Sequence, residues 1–233
     1  MMKLYIHSRL LGLFLLIEGL LIFVPMTILG QAINWPDILE EPASVVLPTI
    51  YENQSETTFG YFSYLIYSIL FFPVIAMLSF YASKEKALSP LLWMASAFAA
   101  LSALARSIGI IRWLSVMPNL ATQYNTADEM TKSNIDVVFD AINAYGGSIG
   151  EDLGVSLFAS LSIILLSIHI LKSHTLPKWT GWFGVVAALA IVVPLLAIFD
   201  INVDAFVVAS VGVVQFWFLF VGLYLLLKRK AHE

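Results

Sequence analysis

Apolar residues in this chain come in long unbroken runs, not in the every-other-residue alternation of a half-buried strand. Six runs, at about 10–30, 59–82, 90–116, 149–171, 180–199 and 205–227, reach the roughly 20 residues that cross about 30 Å of hydrocarbon. In lipid each backbone N–H needs a partner within its own segment, so the runs predict helices; a closed barrel would show alternation instead. The expected fold is all-α: a single transmembrane domain over 1–233, built as a bundle of six membrane-spanning helices. Connections as short as "SKEKAL" and "KSHTLPKW" make consecutive helices antiparallel neighbours.

Two polar stretches between the runs carry patterns of their own. "NWPDILEEP" predicts a short helix with Asn34 as N-cap, Pro36 near the first turn and Trp35 at headgroup level. "DEMTKSNIDVVFDAINAY" is amphipathic, with Ile135, Val138, Phe139 and Ile142 at i, i+3, i+4 and i+7. It is expected on the outer rim of the bundle, as a cover over helix ends or as a movable lid.

The basic residues orient the bundle. Lys3, Arg9, Lys84, Lys86, Lys172, Lys178, Lys228, Arg229 and Lys230 fall on one side of the predicted topology. The other side holds only Lys132, while Arg106 and Arg112 lie inside or at the edge of the third run. The positive-inside rule then places both termini in the cytoplasm. Asp37, Glu40, Glu41, Glu52, Glu56, Asp128, Glu129, Asp136, Asp140, Asp200 and Asp204 make the external face electronegative. The first run could pass for a signal peptide, but its length and the central Glu18 predict an uncleaved helix.

Composition narrows the partners. The chain is 60% hydrophobic and 12% charged, against about a quarter charged in soluble domains, so the lipid bilayer is its expected surroundings. A net charge of -4 and the absence of Lys/Arg blocks argue against nucleic acid. Without cysteine there is no disulfide, thiolate metal site or cysteine nucleophile. His7, His169, His174 and His232 are scattered, with no i+3 or i+4 pair to suggest a metal site. No cofactor is expected, because P-loop and dinucleotide motifs are missing.

Candidate chemistry gathers at "GGSIGEDLG", residues 146–154. Gly146-x-Ser148-x-Gly150 has the spacing of a nucleophile elbow, which requires a preceding strand and a histidine within reach. The preceding "FDAINAY" has a helical period, and every histidine maps to the cytoplasmic side or to inner helix ends. A capping box fits better, with Ser148 as N-cap and Glu151 three residues on. Asp152, Ser156 and Ser160 form one polar stripe at i, i+4 and i+8. Gly146, Gly150 and Gly154 offer a seam for close helix packing, matched by Ala95, Ala99 and Ala103 on the third helix.

Arg106 lies near that alanine face, roughly 22–24 Å from the cytoplasmic end of its helix at about 1.5 Å per residue. Glu151 and Asp152 start the next helix at a similar height. A charge in lipid costs roughly 2.5–3.5 kcal/mol on insertion scales and needs a partner or water. Arg106 is therefore expected to pair with Asp152 or Glu151, either as a lock between helices or as a site for an anionic or polar ligand. Glu18, with Gln215, Tyr64 or Tyr67 as candidate neighbours, is expected to remain a protonated acid between helices or to serve as a proton or cation site. Binding or transport of a small molecule, lipid or ion through this polar centre is the first functional expectation. A structural or assembly role without a ligand is the second. An intramembrane enzyme is the third; it would need a second catalytic group beside Glu18 or Asp152. The sequence names no protein partner.

Four stretches, "NWPDIL", "IIRWLSVMP", "NAYGGSIGEDLG" and "LPKWTGWFG", resemble in this order the bacterial membrane-protein family catalogued as domain of unknown function 4386. The resemblance spans most of the chain, from the first helix to the fifth. It implies a multi-helix protein of the bacterial plasma (inner) membrane and no particular activity. Members of the family often carry a histidine after the glutamate of "GE.LG". This chain has Asp152 there, so no metal or proton role of such a histidine carries over.

Overall fold

The computed structural model describes residues 8–84, 87–201 and 203–228, without the side chains of 204–208. Lys3, His7, Lys86, Arg229, Lys230 and His232 lie outside the described residues, as does the side chain of Asp204. Among the described residues every regular element is helical. Six helical runs are long and apolar enough to cross a membrane: Ser8–Ile33, Gln54–Ala82, Pro90–Thr126, Glu129–Ser173, Lys178–Phe199 and Ala209–Leu227. Large apolar side chains stay exposed at helical spacing, among them Leu10, Leu13, Ile17 and Leu20 and again Leu101, Leu104, Ile108 and Ile111. Such stripes face lipid in a multi-pass membrane protein.

The first run consists of α1 (Ser8–Leu21) and α2 (Phe23–Ile33), separated by a turn at Ile22. Asn34 closes it at φ 56°, its N–H bonded to the Leu29 carbonyl. Asn34 is therefore the C-cap of α2, not the expected N-cap of a following helix. Asparagine tolerates the left-handed conformation that ends helices, and this local preference prevails here. A 3-10 turn (Asp37–Glu40) and then α3 (Ala43–Glu52), which the apolar pattern did not announce, lead into α4 (Gln54–Ala82). The third run is α5 (Pro90–Leu114), continued beyond a break at Ser115 by α6 (Val116–Thr126). The last two runs contain α9 (Lys178–Val192), a 3-10 segment (Val193–Phe199) with Pro194 in its first turn, and α10 (Asp204–Leu227).

The fourth run departs most from expectation. α7 (Glu129–Gly147) passes directly into a π-helical segment (Ser148–Ala159) and then α8 (Ser160–Ser173). Ser148 has helical dihedrals of -59° and -39°, and its N–H bonds to the Ala144 and Tyr145 carbonyls. The N-cap and capping box predicted at Ser148 are thus replaced by uninterrupted helix, which also rules out an elbow there. Glycines loosen this stretch, but a helix end in a dry environment would strip several N–H groups of partners. Widening the ladder to i→i+5 keeps them bonded. The predicted rim segment is accordingly the opening of the fourth long helix. Its true N-cap is Asp128, which accepts from the Thr131 amide at 2.9 Å. Of its apolar stripe, Ile135 and Phe139 are buried and Ile142 partly so, while Val138 is 45% exposed.

The chain forms two compact units. The first comprises Met1–Leu20, Ile69–Leu104 and Asp152–Glu233; the second comprises Leu21–Ser68 and Ala105–Glu151. In the first, Leu11, Leu15, Phe71, Leu78, Ile163, Leu166, Trp217 and Phe218 belong to one core. Here α1 and α10 meet backbone to backbone: a Cβ on Gly12 would stand 2.8 Å from the Gly222 carbonyl oxygen. Ser162 donates to the Ala95 carbonyl at 2.8 Å and Ser102 to the Gly154 carbonyl at 2.7 Å, tying α5 to the fourth run. The second unit has its own core of Leu29, Ile33, Val46, Leu47, Ile50, Tyr61, Trp113, Met117 and Phe139, and α3 packs in it against α6 and α7.

Candidate functional site

The second unit buries two guanidinium groups in an apolar span. Arg112, near the end of α5, is 8% exposed. It donates from Nη1 to the Gly109 carbonyl at 3.0 Å and from Nη2 to Asn143 Oδ1 at 3.4 Å. Its guanidinium lies over the Trp113 ring, 5.3 Å from the centroid. Asn143 turns its amide nitrogen to the Leu39 carbonyl at 3.3 Å, so one side chain of α7 joins the loop after α2 to the arginine.

Glycines make room for this arrangement. A Cβ on Gly146 would fall 2.6 Å from Arg112 Cδ and 2.8 Å from Nη1, so only a hydrogen leaves space for the arginine beside α7. Gly109 and Gly150 serve the close approach itself: a Cβ on Gly109 would lie 2.8 Å from Gly150 Cα and 2.9 Å from the Gly146 carbonyl oxygen. Gly147 differs from its neighbour. It is half-buried, and a Cβ there would sit 3.7 Å from Arg112 Nη2 with nothing nearer. Arg112 Nη2 thus borders a position that a side chain on Gly147 could fill.

Aromatic rings frame both arginines. Tyr61 of α4 stacks on Trp113 with centroids 5.0 Å apart and planes 4° from parallel. Trp35 meets Tyr64 edge-on, Tyr64 lies against Tyr67, and Arg106 sits over the Tyr67 ring at 4.6 Å. A cation on an aromatic face gains roughly 0.5–1 kcal/mol where exposed and about 2 or more once desolvated. Glu151 is exposed and lies within electrostatic reach of Arg112, Tyr61 and Tyr64; Arg106 also acts on Tyr64.

Arg112 carries five N–H donors, and its Nε is buried with no acceptor. The Tyr61 hydroxyl, on a residue 1% exposed, is likewise buried without a partner. Each unmet buried donor costs about 1–3 kcal/mol, more when charged. Unfilled donors of this kind call for an explanation, and an acceptor supplied from outside the chain is one.

The sequence-predicted residues divide between the units. Arg106, 5% exposed, and Glu151 belong to the cluster just described. Asp152 is half-buried in the first unit, where Ser156 and Ser160 of its stripe are buried and Ser160 bonds back to the Ser156 carbonyl. Glu18 and Gln215 are buried in the first unit on the α1–α10 seam; a Cβ on Gly19 would lie 3.2 Å from the Gln215 carbonyl oxygen. Tyr64 and Tyr67, considered as neighbours of Glu18, belong to the second unit. Ser148 is exposed on its helix. Ala95, Ala99 and Ala103 are buried as a small-residue face should be, but Gly109, outside the predicted triplet, is what meets Gly146 and Gly150. Arg112, Tyr61, Trp113 and Asn143 were missed as site residues. The signal for Arg112 was the one that selected Arg106, a cation within an apolar run.

With every regular element among its described residues helical and six of its helical runs long and apolar enough to cross a membrane, the chain is of the multi-pass membrane class. A family model described as a domain of unknown function (DUF4386) matches residues 10–228, and the chain belongs to that family. No curated protein and no solved structure matches it. Three of the four stretches that carry the family resemblance meet around Arg112: "NWPDIL" through Trp35 and Leu39, "IIRWLSVMP" through Arg112 and Trp113, and "NAYGGSIGEDLG" through Asn143, its glycines and Glu151. The fourth, "LPKWTGWFG", packs in the first unit, where the Thr180 carbonyl accepts from Trp217 at 2.9 Å.

Proposed function

We propose that this protein binds a small polar or lipid ligand at the Arg112 cluster, for transport or for retention, in the plasma membrane of a bacterium with both termini in the cytoplasm. The observation that carries the reading is an arginine, Arg112, more than nine-tenths buried in a spanning helix while one donor of its guanidinium has no acceptor. Inserting such a charge costs roughly 2.5–3.5 kcal/mol, and a purely structural arginine would be expected to spend all its donors on the fold. Arg9, Lys84, Lys172, Lys178 and Lys228 support the orientation. A second reading, a lock between helices, is favoured by the bonds from Arg112 to Gly109 and Asn143.

Native mass spectrometry of the purified protein tests the first reading. A retained small-molecule mass is expected on the wild type and should be lost in Arg112→Gln and in Gly147→Val, which narrows the approach but leaves every donor in place. No retained mass, combined with failure of Arg112→Gln to fold, would overturn ligand binding in favour of the lock.

A further inference from the structure

We infer that the ligand presents a singly charged oxyanion, a phosphodiester or a carboxylate, to Arg112 and Tyr61; this rests on the ligand-binding reading above. The argument begins from the count of donors against acceptors. The Arg112 Nε and the Tyr61 hydroxyl are both buried and both without an acceptor, and each lies within the other's electrostatic reach. Both side chains contact Trp113: Tyr61 lies parallel to the indole at 5.0 Å, and the guanidinium is 5.3 Å from its centroid. Arg112 has five donors in a planar fork, the geometry that matches two oxygens of a carboxylate or phosphate.

Access and exchange point the same way. A Cβ on Gly147 would meet Nη2 at 3.7 Å and nothing else within 4 Å, so there is space beside Nη2 on that side. The bond from Nη2 to Asn143 is long at 3.4 Å, beyond the usual N–H···O range of about 2.7–3.2 Å. An incoming oxyanion can replace it with a charge-assisted bond of about 2.7–2.9 Å. A cationic ligand would meet two guanidiniums, and a ligand without an acceptor would leave Nε and the phenol unmet. Glu151 sets the charge of the occupant. Its carboxylate, in reach of Arg112, offsets part of the positive field and so disfavours a doubly charged ligand. Phosphodiesters and carboxylates are the common oxyanions carrying a single charge near neutral pH. A lipid headgroup and a free anion can both supply that chemistry.

The test is thermal melting of the full chain in dodecyl maltoside, which contains no phosphate. Four additions are titrated separately: dioctanoyl phosphatidylglycerol, dioctanoylglycerol as its phosphate-free counterpart, dimethyl phosphate, and acetate. The wild type should be stabilised by phosphatidylglycerol, by the free anions, or by both, and not by dioctanoylglycerol. Response to the lipid alone assigns a headgroup; response to the free anions assigns a soluble source. Tyr61→Phe removes a hydroxyl that bonds to nothing in the ligand-free chain, so the variant should fold and yet bind the anion roughly tenfold to a hundredfold more weakly. Arg112→Lys, which keeps charge but loses the fork, should show a similar loss. Equal stabilisation by dioctanoylglycerol, abolished by Gly147→Val, would overturn the oxyanion inference while ligand binding stands. Unchanged anion affinity in both Tyr61→Phe and Arg112→Lys would also overturn it. Should no addition stabilise the wild type and no mass be retained, both readings fall.

Discussion

Gly146→Ala and Gly147→Ala add one methyl each at adjacent positions of one helix, and the structure gives them opposite signs. At 146 the new carbon would stand 2.6 Å from Arg112 Cδ and 2.8 Å from Nη1, against an optimal carbon contact of about 3.5–4.0 Å. The arginine must shift by about 1 Å. Overpacking of that kind costs about 1–3 kcal/mol, and the same shift loosens the Nη1 bond to Gly109, where a bond from a charged donor is worth about 1.5–3 kcal/mol. These penalties describe one displacement and do not add in full. Replacing glycine by alanine inside a helix returns about 0.5–1 kcal/mol. Gly146→Ala should therefore lose about 1–3 kcal/mol. At 147 the methyl meets Nη2 at an ordinary 3.7 Å, so Gly147→Ala should gain up to about 1 kcal/mol. Thermal melts of both variants in one detergent measure the difference, at about 2–4 °C per kcal/mol for a chain of this size. Repeating Gly146→Ala in an Arg112→Ala background closes a double-mutant cycle in which the obstruction is gone. Equal signs at the two positions, or a penalty at 146 that persists without the arginine, would refute the packing argument.

Gly109→Ala should cost more than Gly146→Ala, because its obstacles, Gly150 Cα and the Gly146 carbonyl, are backbone that cannot rotate away; a smaller loss in the same melts would contradict the close approach of α5. The Asp128 carboxyl is held below its ordinary 3.8 by the Thr131 hydroxyl first and the Thr131 amide second. A depressed group stabilises the fold above its unfolded pKa and loses that contribution as pH falls through the folded one. Hydrogen-exchange protection of the first turn of α7 should thus be complete above about pH 4 and fall only below it, while Asp128→Asn should abolish that pH dependence. The chain contains no cysteine, so single substitutions report topology cleanly. A membrane-impermeant thiol reagent on intact cells should label Glu41→Cys and spare Lys84→Cys, and the reverse would invert the proposed orientation.

The six spans were legible because the requirement of lipid is local: a long apolar run must be helical wherever its neighbours lie. What failed depended on partners distant in sequence. "SIGE" has every local mark of a capping box, but helix persists at Ser148 while Gly109 of α5 packs against Gly146 and Gly150. Asn34 was placed at the wrong helix end because its two capping roles, before one helix and after another, look alike until its φ is known. Arg106 was found by the cost of charge in hydrocarbon. Arg112 obeyed the same rule but lay near the end of its run, where apolarity alone does not tell lipid from water. The glycines of "GGSIGEDLG" were read correctly as a packing seam, yet the part played by Gly146 and Gly147 in accommodating an arginine follows only from the fold.

The account depends on the Arg112 guanidinium being approachable at Gly147, and the reactivity of Gly147→Cys measures this directly. Two thiosulfonate reagents of similar size, one bearing a sulfonate and the other a trimethylammonium, are compared on the purified protein. The anionic reagent should react faster, and Arg112→Gln should erase its advantage. Equal rates, a preference for the cation, or an anion preference that survives Arg112→Gln would contradict the account.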